Sequence, residues 1–153
     1  MARVFLDSGV FVEGISAEWG AAKAILILGG HRVLALETSE VVFVEVTRAL
    51  RRKGIPAGGG SAFAKLVRTI GLTIHPRPSE EDIRDGLQRY LPSMRHQADV
   101  SVLVAAIAAK PDWLVSCNAS HFNPQVARAS GLRIVTPAQL MRYLNVRDAP
   151  ERS

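Results

Sequence analysis

The stretch Arg3-Val4-Phe5-Leu6-Asp7-Ser8 limits the fold more than any other. It is a short apolar run that ends in an acid and is followed by a longer segment with helical spacing. A run this short and uninterrupted has the form of a strand buried on both faces, as in a parallel sheet, feeding a helix. In open α/β sheets, ligands bind at the carboxyl ends of such strands, where Asp7 would sit. Asp is also a common helix cap, because it accepts hydrogen bonds from free N–H groups. Both roles stand open for Asp7 until its companions are found.

The rest of the chain alternates in the same way. Ile15, Trp19, Ala22, Ile25, Ile27 and Leu28 predict one helix from Val10 to Leu28, stopped by Gly29-Gly30. Val33 to Leu36 is a second strand, and Thr38 or Ser39 caps a helix that runs to about Lys53 and ends at Gly54. The glycine-rich stretch Pro56 to Ser61 reads as a connection between helices. A phosphate loop would need a strand before the glycines and a Lys-Ser/Thr ending. Helices are predicted over Ala62 to Ile70, from Ser79 with an acidic first turn, over Ala98 to Ala109, and around Pro124 to Ala129. Leu72 to Ile74, Trp113 to Ser116 and Arg133 to Val135 are the remaining strands. Thr136-Pro137 starts a final helix. The expected architecture is a three-layer α/β/α fold with a central parallel sheet of about five strands, formed by a single domain over residues 1–145, with a polar tail over 146–153.

Composition narrows the class. The hydrophobic fraction is 48% and the charged fraction 22%, ordinary for a globular chain of 153 residues. Nineteen Lys and Arg against fourteen Asp and Glu leave a formal charge of +5, mild support for a polyanionic partner. The single cysteine, Cys117, excludes an internal disulfide. Asp7 and Glu13 interrupt the first apolar stretch, and no apolar run approaches membrane-spanning length. A soluble cytoplasmic protein without membrane contact is expected.

Three acids carry the candidate chemistry. Glu45 lies at the edge of the apolar stripe Val42, Phe43, Val46, Ala49 and Leu50, where helix would meet sheet. A carboxylate half withdrawn from water needs a positive partner, either Arg48 three residues on or a metal. Asp99 flanks the stripe of its own helix in the first turn, where the helix dipole alone would also favour it. A strand-end Asp, a helix-edge Glu and a helix-start Asp all occupy positions that an α/β sheet gathers at one end. Three carboxylates together repel one another and call for a divalent cation. Oxygen-only ligands indicate magnesium or manganese rather than zinc.

Asp7 in Val-Phe-Leu-Asp-Ser, Glu45 in Phe-Val-Glu-Val-Thr-Arg-Ala-Leu, Asp99 before an Ala-rich helix, and Leu-Val-Ser-Cys-Asn-Ala-Ser-His-Phe some twenty residues later follow one another over nearly the whole chain. In order and spacing this set resembles the PIN domain family. The resemblance implies a metal-dependent endoribonuclease, often the VapC-type toxin of a toxin–antitoxin pair, that leaves a 5′ phosphate and a 3′ hydroxyl. It further implies that Asp7, Glu45 and Asp99 bind Mg2+ or Mn2+, with Ser116 and Asn118 as second-tier polar contacts and Asn118 counted in the catalytic set. The chain departs from the pattern at the fourth acid, where Asn118 or His121 stands in place of Asp.

On this reading Ser8, Arg48, Arg95, Ser116 and His121 would contact RNA. The cluster Arg48, Arg51, Arg52 and Lys53 would offer a salt-sensitive rim for phosphates. Cys117 lacks an activating base nearby, and Trp19 and Trp113 are expected in the core. The resemblance implies a homodimer and an antitoxin, with Ile15 to Leu28 and Phe63 to Leu91 as contact surfaces. Two other readings compete: a non-catalytic PIN-like module that binds RNA or protein, and a phosphoacceptor domain of flavodoxin-like topology.

Overall fold

A computed structural model describes residues 1–90, 94, 97–118 and 121–148. Ala2–Leu6 (β1) is the central strand of a five-stranded sheet. The other strands are Leu34–Ser39 (β2), Thr73–His75 (β3), Trp113–Val115 (β4) and Ile134–Val135 (β5), in the order β3-β2-β1-β4-β5, and every pairing is parallel. The helices described are Ser8–Ser16 (α1), Ala21–Gly30 (α2), Glu40–Arg52 (α3), Ala62–Ile70 (α4), Glu80–Tyr90 (α5), Gln97–Ala109 (α6), Pro124–Ser130 (α7) and Pro137–Asp148 (α8).

The expected three-layer α/β/α architecture is what the chain adopts. Successive strand residues point to opposite faces. On one face Leu36 meets Gly29 of α2; on the other Arg3 reaches the carbonyls that close α6. Val4, Phe5, Leu6 and Leu114 are fully buried, as strands covered on both faces must be. The strand order reverses direction between β1 and β4, so the switch point of the sheet lies beside Asp7. This order also differs from the 2-1-3-4-5 order of flavodoxin-like folds, and the phosphoacceptor reading fails on topology.

The single helix expected from Val10 to Leu28 is in fact two. Ala17 takes an extended conformation, and Gly20 sits at a φ of 129°, which is open to glycine and strained for other residues. The turn between them carries Trp19 away from the core, where the sequence reading placed it, and leaves it 84% exposed. Trp113 is buried as expected, beneath the guanidinium of Arg133 and the ring of Tyr143. Other ends follow their caps. Ser39, the last residue of β2, is itself the N-cap of α3, its Oγ accepting from the Val42 N–H, so strand and helix join with no loop between them. Thr136 and Gln139 form a reciprocal capping box at the start of α8, and that helix continues to Asp148.

Close approach of α2 to β2 depends on Gly29. A Cβ there would stand 2.3 Å from Leu36 Cδ1 and 2.7 Å from its Cγ, and Leu36 is itself buried. Gly29→Ala is expected to lower stability by about 1–3 kcal/mol, the usual cost of overpacking. A denaturant midpoint that moves down with unchanged slope would record it.

The sheet also buries a charge that the strand reading, which ended β2 at Leu36, did not include. Glu37 is 4% exposed. Its carboxylate accepts from Arg3 Nε at 2.5 Å and Nη2 at 2.7 Å, and lies 2.6 Å from His75 Nε2. Arg3 donates as well to the Ala109 and Lys110 carbonyls at the end of α6. Burial alone would raise the Glu37 carboxyl, but Arg3 first and His75 second hold it below the usual range.

Candidate metal centre

Asp7 follows the last residue of β1, and its N–H donates to the Val115 carbonyl of β4 at 3.0 Å, which pins it at the switch point. It does cap α1, so the two roles weighed for it are compatible: Oδ1 accepts from the Ser8 N–H at 2.8 Å. Oδ2 accepts from the Ser116 hydroxyl at 2.9 Å, and that Oγ in turn accepts from the Asn118 N–H at 3.1 Å. The side chain of Asp7 is buried, and burial pushes its carboxyl above the ordinary range. The bonds from Ser8 and Ser116 oppose the rise, and the negative charge of Asp99 adds to it.

Glu45 projects from α3, half-buried at the edge of the stripe formed by Val42, Val46 and Leu50. Its carboxyl is also raised, first by burial and then by Asp7 and Asp99, against a hydrogen bond from the Ser8 side chain. Arg48 opposes the rise only weakly from an exposed position and does not neutralise Glu45, so the local ion pair considered from the sequence does not form. Asp99 lies in the first turn of α6 with its side chain 18% exposed. Its Oδ2 is enclosed and accepts no hydrogen bond, although His121 Nδ1 stands 2.9 Å away.

Three acids from three elements therefore share one electrostatic neighbourhood: Asp99 adds to the rise of the Asp7 carboxyl, and Asp7 and Asp99 both add to that of Glu45. Their chemistry fits a hard dication: carboxylate oxygens, mutual repulsion, and a buried acceptor with nothing donating to it. Among the described residues, no three acid, histidine or cysteine side chains converge closely enough to hold an ion as they stand. The electrostatics of a metal centre are present without its full convergence.

The remaining site residues predicted from the sequence sort into two groups. Ser8 and Ser116 orient the acids directly, and His121 faces Asp99. Asn118 is exposed, and Arg48, Arg51, Arg52 and Lys53 are exposed at the end of α3. Arg95 lies outside the described residues. Cys117 donates to Glu13 at 3.0 Å, and burial first, then that carboxylate, lifts its thiol to about 12, which leaves it a poor nucleophile. Thr38, weighed from the sequence only as an alternative cap for α3, has a different role. Fully buried, it donates from Oγ1 to the Leu6 carbonyl at 2.9 Å and so fixes the peptide that leads into Asp7. Its only signal in the sequence is a hydroxyl at the end of a strand next to β1.

No protein-family model matches the chain, and no curated protein sequence matches it. Solved structures do. A chain of the VapBC2 complex from Rickettsia felis, bound to a DNA fragment from its promoter, superposes with a TM-score of 0.58 at 13% identity, covering 88% of this chain and 98% of that one. A chain of a toxin–antitoxin complex from Klebsiella pneumoniae gives 0.57 at 16% identity, over 88% and 97%. VapC20 from Mycobacterium tuberculosis, a toxin that cleaves the sarcin–ricin loop, gives 0.52 at 14% identity, over 82% and 94%. The fold is thus that of a PIN domain, and in architecture the chain resembles the VapC and FitB toxins.

Proposed function

We propose that this protein is a metal-dependent endoribonuclease and the toxin of a toxin–antitoxin pair. The observation that carries the reading is the coupling of Asp7, Glu45 and Asp99 at the switch point of a PIN fold. Asp7, Glu45 and Asp99 would hold Mg2+ or Mn2+. Such an ion, when bound, supplies positive charge to a phosphodiester and makes water more acidic. Ser116 keeps Asp7 oriented, Ser8 does the same for both Asp7 and Glu45, and Asn118, whose N–H bonds to Ser116, would offer a neutral polar group beside them. Arg48, with Arg51, Arg52 and Lys53, supplies the charge that draws the RNA backbone towards the acids, and Arg95 shares that role.

For the antitoxin, the surface favoured is an apolar groove of about 440 Å³ between α2 and α4, lined by Ile15, Leu26, Ile27, Phe63, Leu66 and Ile70. It lies between the two segments that the sequence suggested, and structural relatives of this chain are complexes of toxin with antitoxin. A homodimer and a cytoplasmic location belong to the same proposal. Among the described residues, no helix is long and apolar enough to cross a membrane.

The competing reading, a PIN-like module that binds RNA or protein without cleaving, rests on Asn118 standing where a fourth acid is expected. Incubating purified protein with a mixed RNA pool and Mg2+, Mn2+ or EDTA separates the two. Cleavage that requires the metal and stops in EDTA is the expected result. RNA retained intact with every metal would establish the binding module instead.

A further inference from the structure

From Ser101 to Ala109, α6 carries no charged residue, and its apolar side chains are spread around the whole helix. A helix apolar on every side belongs in a place where every side is covered. One chain does not supply that cover. Val102, Leu103, Ala105 and Ala106 are buried, but Val104 and Ile107 are only partly covered and Ala108 is exposed. These three residues floor a groove of about 700 Å³ between α5 and α6. A second hollow of about 430 Å³ shares Asp82, Val104 and Ala108 with it and extends it along α6.

The α5 wall of the groove points to what covers it. Asp82 and Asp85 stand towards one end and Arg89 towards the other, all exposed, and among the described residues none of the three is in an ion pair. Acid at one end and base at the other make a surface that is complementary to itself when turned end for end. Asp85 and Arg89 lie one turn apart on the same side of α5. A second copy related by a two-fold axis near the middle of α5 would therefore set Asp85 of each chain opposite Arg89 of the other, with Val104, Ile107 and Ala108 enclosed between them.

We propose that this groove is the interface of a symmetric homodimer, closed by a second copy of the chain. This rests on the homodimer of the proposed function and deepens it by assigning the face. Arg3 reaches the end of α6 on one side of the sheet, whereas Leu36 meets α2, and with it the α2–α4 groove, on the other. A second copy and an antitoxin would then occupy opposite sides of the sheet and would not compete.

Sedimentation equilibrium of the full chain is the test. The wild type is expected at twice the mass of one chain at micromolar concentration. Asp85→Arg sets like charges against each other across the axis and should weaken the dimer at least about ten-fold. Adding Arg89→Asp restores opposite charges in exchanged order and should recover most of that loss. Ala108→Glu, at a position exposed in the single chain, should leave monomers whose circular dichroism matches the wild type. A monomeric wild type, a dimer that either single variant leaves intact, or a charge exchange that restores nothing overturns the assignment. Because mass is the readout, metal-dependent cleavage by a monomer would remove this interface and leave the nuclease standing, and an inert dimer would do the reverse.

Discussion

Asp7→Asn should make the protein more stable and inactive at once. The ionised carboxylate of Asp7 is buried, and its pKa is raised by burial and by Asp99, so at neutral pH the fold holds a charge that it disfavours. A carboxyl whose folded pKa lies above its unfolded one costs stability at every pH above the folded value. That cost fades as the pH falls through the folded value and is gone below the unfolded one. Asparagine removes the charge while its oxygen continues to accept from the Ser8 N–H, and the Ser116 hydroxyl can turn to accept from the new amide. The expected gain at pH 7 is about 1 kcal/mol, in the range seen when a functional site is relieved of conflict. Thermal melts of the two proteins should converge near pH 3. Metal-dependent RNA cleavage should fall by about a hundred-fold or more, since several kcal/mol of transition-state stabilisation depend on the ion that Asp7 would hold. Added Mn2+ should raise the melting temperature of the wild type and leave the variant unmoved. A variant less stable than the wild type at pH 7 would mean that Asp7 serves the fold as a cap and no functional compromise is stored there.

The second large effect concerns Arg3, far from the site in sequence and role. Arg3→Met strands Glu37, a carboxylate 4% exposed, with His75 as its remaining side-chain partner, and releases the Ala109 and Lys110 carbonyls. The side chain of Arg3 is 43% exposed, so water can reach the stranded carboxylate, and the expected cost is about 1–3 kcal/mol, that of leaving a buried acceptor unsatisfied with partial screening. For a chain of this size that is a drop of roughly 5 °C in melting temperature. The double variant Arg3→Met with Glu37→Gln should recover much of the loss, and the difference measures the coupling. Because Arg3 and His75 hold the Glu37 carboxyl below its usual value, the stability it contributes is complete above the ordinary carboxyl range. That stability drains away as the pH falls through the lowered value. In the Arg3→Met background this acid-limb loss should shrink.

The parallel sheet could be read because its strands announce themselves: Val4-Phe5-Leu6 and Trp113-Leu114-Val115 are apolar on both faces, and the layer order follows. Helix starts were legible wherever a cap preceded an apolar stripe, as at Ser39 and Thr136. The break between α1 and α2 was hidden because residues on both sides continue an apolar pattern, while an extended Ala17 and a positive φ at Gly20 separate them. Glu37 was missed for a different reason. The polar run Glu37-Thr38-Ser39 after Leu36 looks like the end of a strand, and the guanidinium that makes a buried carboxylate tolerable comes from Arg3, thirty-four positions earlier. Of the candidate site, Asp7, Glu45 and Asp99 were recognisable from their element positions. The apposition of His121 to Asp99 was not, since it joins two residues that lie on either side of β4 in the sequence.

The pairing of β1 with β4 has a consequence for the time at which the site comes into being. Asp7 is made well before the groups that hold it, since its N–H bonds to Val115 and its carboxylate accepts from Ser116, 109 positions later. Contacts so distant in sequence form only after a long loop has closed, and they tend to form late. During synthesis, β1 can pair with β2 while one of its edges still waits for a strand that has not left the ribosome. The acid cluster is therefore assembled only after β4 has been made, and truncated chains that stop before Trp113 lack the partner that holds Asp7 in place.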